Sequence, residues 1–108
     1  DVASICWEII SNWELVSKKR NYINHWTCQG VASWYDLAIE IGDIATRCGI
    51  LKSPAKIYST TTENYPTLAK RPIYSILDCS NTREIIGIEG KYWRQELENI
   101  IRNMVNKQ

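Results

Sequence analysis

The sequence predicts an α+β fold: a small three-helix domain with a few short strands, and three observations carry that expectation. Apolar residues recur at the three-four spacing of an amphipathic helix in three separate segments. Between them stand β-prone runs, YINHWT at residues 22–27 and KIYST at residues 56–60. The composition, 44% hydrophobic against 23% charged over 108 residues, supports one small core and no more. Residues 1–108 therefore read as a single domain.

Taken in order, the chain opens on Asp1, a helix-capping residue, followed by Val2, Ile5, Cys6, Ile9, Ile10 and Trp13 on one helical face. A start without Met, directly on a helix, points to a segment of a longer protein. SKKRN at residues 17–21 is a polar, basic connector. The first β-prone run contains His25 and ends in Cys28-Gln29-Gly30, where the glycine supplies a turn. His25 has no second ligand or base at useful spacing, which favours a structural role. Ser33 then opens the clearest helix, with Asp36 three residues on as a capping-box variant. Trp34, Leu37, Ala38, Ile41, Ala45 and Cys48 form its apolar stripe; Asp36, Glu40, Asp43 and Arg47 occupy the other face, with Asp43 and Arg47 spaced to pair. Gly42 inside the helix costs about 1 kcal/mol against alanine, and Gly49 ends it. Ser80 or Asn81 starts a short helix through Ile86, closed by Gly87. A last helix over residues 92–105 carries Trp93, Leu97, Ile100, Ile101 and Met104, with Glu98 and Arg102 paired at i,i+4.

Composition excludes several classes. Thirteen basic against twelve acidic residues give a net charge of +1, so nothing recommends nucleic acid or an anionic membrane as partner. No apolar run approaches the roughly 20 residues of a membrane-spanning helix, and the first residues do not read as a secretory leader. Cys6, Cys28, Cys48 and Cys79 are too widely spaced for a zinc site and read as reduced, largely buried thiols of a cytoplasmic protein. GxGxxG, GxSxG and P-loop patterns are all absent, and one histidine supports no nucleophile-base couple.

One stretch stands apart. Residues 63–80, ENYPTLAKRPIYSILDCS, set Lys70 and Arg71 between Pro66 and Pro72. Proline lowers the entropy lost on ordering a loop, and arginine grips phosphate oxygens through parallel hydrogen bonds while lysine adds a point charge. An ordinary solvated basic pair is the competing reading.

In order and at matching spacing, INHWTCQGVASWYDLAIEIG resembles the YHWTGxGxxSWYDFAxxI passage of dTDP-4-dehydrorhamnose reductases. ENYPTLAKRPIYSILDCSNTREIIGI is similar to that family's xxYPTPAxRPxxSxLDxxKxxxxxGI, and KYWRQELENIIRNM to its closing xxWRxxLxxxL helix. The resemblance runs from about Ile23 to the end. It implies the C-terminal lobe of an extended short-chain dehydrogenase/reductase, which closes over a nucleotide-sugar, while an N-terminal Rossmann domain holds NAD(P)H and the YxxxK catalytic pair. The implied reaction is reduction of dTDP-4-dehydro-L-rhamnose to dTDP-L-rhamnose. Neither the glycine fingerprint nor YxxxK occurs here, so the expectation is a substrate lobe that binds no cofactor and is inactive alone.

Tyr65, Pro66, Thr67, Ala69, Arg71 and Pro72 match the YPTPAxRP stretch. Leu68 replaces its second proline, and Lys70 falls at its variable position. The resemblance thus implies Arg71, then Lys70 and Tyr65, as substrate-binding residues, with no catalytic residue in the chain. Asn81 stands where the family has lysine. Trp34 and Trp93 read as core by helical spacing. The implied partners are the dTDP-sugar and the Rossmann domain, with self-association through an exposed lobe face a further expectation. A non-catalytic regulatory or protein-interaction module of the same fold is the alternative, and a redox or metal domain using the four cysteines a third reading.

Overall fold

The computed structural model describes residues 2–18, 23–69 and 71–106, apart from the side chain of Leu15. Five α-helices form: α1 Val2–Ser11, α2 Trp13–Lys18, α3 Trp34–Arg47, α4 Ser80–Ile86 and α5 Trp93–Val105. A 3-10 turn covers Thr62–Asn64. The chain divides into two compact units, residues 1–29 with 76–91 and residues 30–75 with 92–108.

In the first unit the expected N-terminal helix runs on to Lys18 but is interrupted at Asn12. Both the backbone N–H and the side-chain amide of Asn12 donate to the Glu8 carbonyl, at 3.0 and 2.9 Å. A side chain competing for its own helical acceptor loosens the turn, which accounts for a second helix starting at Trp13. Ile5 and Val16 are buried, one from each segment. Ser17 and Lys18 of the expected connector are helical, and Asp1 and residues 19–21 lie outside the described residues.

The expected helices form, whereas the few short strands do not appear among the described residues beyond single bridge residues at Gln29 and Tyr92. Residues 23–28 and 56–60 are irregular, and Tyr22 lies outside the described residues. β-propensity reflects packing on a pleated surface more than a backbone preference, so a β-prone run without a partner strand does not order as one. The first run is instead tied by side chains: Arg83 Nη2 donates to the Thr27 carbonyl at 3.3 Å, and Gln29 Nε2 to the Glu89 carbonyl at 3.2 Å. One backbone bond, Gln29 N–H to Lys91 O at 2.9 Å, adds to these. Trp26 rests on Gly90, whose φ is +81°; a Cβ there would stand 3.0 Å from the indole. Both features require glycine. Cys79, at the N-cap of α4, and Thr82 within it are buried.

The second unit is α3 packed on α5. Ser33 and Asp36 form the expected capping box: the Ser33 hydroxyl accepts from the Asp36 N–H at 3.1 Å, and the Asp36 carboxylate accepts from the Ser33 N–H at 2.8 Å. At the other end Gly49, with φ +75°, donates to the Thr46 carbonyl at 3.0 Å while Ile50 donates to Ala45 at 2.9 Å, a Schellman closure.

The buried positions of α3 are Gly42, Ile44 and Ala45, which only partly match the expected stripe. Glu40, Ile44 and Arg47 share one row of the helix, and that row faces α5. Arg94 Nε meets Glu40 at 2.9 Å, and Arg47 lies 3.8 Å from both Glu40 and Glu98. The side expected to face solvent is therefore an interface, with Ile44 at 0% exposure between charged neighbours and Ile101 buried on α5. Arg47 turns to these carboxylates rather than to Asp43. Arg102 pairs with Glu98 as expected, at 2.7 Å. Gly42 has a packing reason that propensity alone conceals: a Cβ there would sit 3.1 Å from Pro54 Cβ.

Candidate functional site

Residues 63–75 belong to the second unit and residues 76–80 to the first. In the second unit the 3-10 turn leads into Tyr65, whose N–H donates to the Thr62 carbonyl at 3.2 Å. Tyr65 itself adopts φ −119°, ψ 83°, outside the helical region that a following proline disfavours. Thr67 Oγ1 donates to the Ala69 carbonyl at 2.8 Å, a local bond that bends the chain just before the basic pair. Tyr65 is 67% exposed, and Leu68, Arg71, Ile73 and Tyr74 are exposed as well. Lys70 lies outside the described residues. The predicted site residues Tyr65 and Arg71 thus sit on one solvent-facing arm. Among the described residues no carboxylate pairs with Arg71.

In the first unit the continuation of the stretch is anchored. Asp78 Oδ1 accepts from the Ser80 N–H at 2.9 Å and so satisfies an orphan donor at the start of α4. The hydrogen bonds from Ser80 hold the Asp78 carboxylate below the ordinary aspartate range; partial desolvation opposes this, and His25 and Arg83 add to the lowering. The Arg83 guanidinium also lies 5.8 Å from the centre of the Trp26 ring. The HWT passage and the LDCSNTR passage, distant in sequence, therefore meet here. His25, expected in a strand, is exposed on an irregular segment.

Two aromatic expectations divide. Trp34 is 85% exposed rather than core. It is the first residue of α3, and a helical side chain leans toward the N-terminus, so at that position it projects past the helix instead of onto the packed face. That positional signal was available from Ser33 as the cap. Trp93 is half-buried, its ring 6.0 Å from Tyr92 and 5.1 Å from the Arg94 guanidinium. Gly30, at φ +91°, lies against the Tyr92 and Trp93 rings, where a Cβ would clash. This is the turn glycine expected from the sequence, now with a packing cause.

Among the described residues no group of three or more His, Cys, Asp and Glu side chains is placed to hold a metal. The thiols are free, and only Cys79 is buried; Cys6 is exposed and Cys28 and Cys48 are half-buried, fewer buried than expected. An open hollow of about 320 Å³ is lined by Arg47, Cys48, Arg102, Val105 and Asn106, none of them a predicted site residue. Both arginines there already meet Glu98 at helix C-termini, where cations are favoured. The glycines stand singly, and α3 opens on a capping box that uses its own first N–H groups. No helix among the described residues is long and apolar enough to cross a membrane.

Tyr65 and Arg71 thus lie exposed on the irregular stretch of the second unit. The chain belongs to the RmlD substrate binding domain family, whose model matches residues 1–106 and so includes the N-terminal helices as well as the motif-bearing passages. It is 36% identical over 100 residues to the dTDP-4-dehydrorhamnose reductase of Aggregatibacter actinomycetemcomitans, covering 93% of this chain and 34% of that protein. It is also 32% identical over 80 residues to the spore coat polysaccharide biosynthesis protein SpsK of Bacillus subtilis (strain 168), covering 74% of this chain and 26% of that protein. The chain spans about a third or less of these relatives. No solved structure matches it.

Proposed function

We propose that this chain is the sugar-nucleotide-binding domain of a dTDP-4-dehydrorhamnose reductase, which reduces dTDP-4-dehydro-L-rhamnose to dTDP-L-rhamnose with NAD(P)H in the cytoplasm. The observation that carries the proposal is the family match over residues 1–106, together with 36% identity to a protein of that name. The exposed arm gives it a physical basis. A dTDP-sugar presents a diphosphate, and Arg71 offers a planar fork of donors that matches phosphate oxygens in pairs. Lys70 adds a second charge by sequence, and the Tyr65 ring offers an apolar face with a hydroxyl at its edge. On this reading reduction is assigned to a Rossmann domain outside the given sequence, in line with the chain's match to only about a third of the reductase it resembles.

The test is a reductase assay on two samples, the full-length protein that contains this sequence and the 108-residue chain alone. NAD(P)H consumption dependent on dTDP-4-dehydro-L-rhamnose is expected from the first and none from the second. Inactivity of a folded full-length protein refutes the substrate assignment, and turnover by the pure short chain refutes the division of roles.

A further inference from the structure

We draw no further inference here: the strongest candidate, the exposed apolar stripe of Val2, Cys6, Ile10 and Trp13 along α1 and the start of α2, carries nothing because nothing in the structure shows what covers it.

Discussion

The α3/α5 pair and the arm that follows α3 belong to the same unit but are held by different means. The pair has a reciprocal cap, a Schellman closure, a buried Ile44 and Ile101, and a chain of alternating charges from Arg94 through Glu40, Arg47 and Glu98 to Arg102. Across residues 51–75 the described side chains are exposed except for the half-buried Ile57, and among the described residues the hydrogen bonds within the arm are short-range ones at Thr61, Thr62 and Thr67. Stability therefore resides in the helices, whereas the arm presents polar groups at little cost to the core. Changes in the first region should be read out in unfolding and changes in the second in binding.

The largest effect should come from Ile44→Ala. Emptying a fully buried site costs the transferred methyl groups plus a cavity, about 3 kcal/mol, and for a domain of this size that is a large share of the total. Urea unfolding followed by circular dichroism is expected to show a much lower midpoint; a change under about 0.5 kcal/mol would mean that the α3/α5 interface is not the stabilising core.

Ser33→Ala comes next, at about 1 kcal/mol for loss of an N-cap. The same cap predicts a pH dependence. Hydrogen bonds from the Ser33 hydroxyl and N–H hold the Asp36 carboxylate below the ordinary aspartate range, with Arg94 adding to the effect against a small desolvation penalty. A carboxyl group with a depressed folded value contributes stability that is complete above its unfolded value of about 3.9. That contribution is lost as the pH falls through the folded value. Thermal unfolding between pH 7 and 3 is therefore expected to show an acid decline that is shallower in Asp36→Asn, and equal slopes in the two proteins would contradict it.

Smallest is Glu98→Gln. Its partners are half-exposed, so neutralising it is expected to cost no more than about 0.5 kcal/mol, fading as salt is raised. A loss that persists in 1 M salt would indicate a role beyond screened charge.

The helices with complete local signals were legible in the sequence. Ser33 with Asp36, Gly49, Gly87 and the Glu98–Arg102 pair each act within a few residues, and each appears where spacing placed it. What spacing could not give was non-local. Ile44 lies off the expected stripe because α5 covers the Glu40–Arg47 row, and Gly42 is explained by Pro54. The two β-prone runs failed as strands because pairing depends on a partner that propensity does not supply. In the arm, Lys70 and Arg71 between prolines were legible on their own as an anion-binding candidate against an ordinary solvated pair, and only the family resemblance narrowed that to a nucleotide-sugar.

The proposed role of that arm is tested most directly by Arg71→Ala in the full-length protein. Because the side chain is exposed, unfolding should change by less than about 0.5 kcal/mol. Steady-state kinetics should show KM for the dTDP-sugar raised about tenfold or more, the loss of one charge-assisted contact, while KM for NADPH stays within about twofold. An equal rise for both substrates, or no rise for either, would contradict the assignment of Arg71 to the nucleotide-sugar pocket.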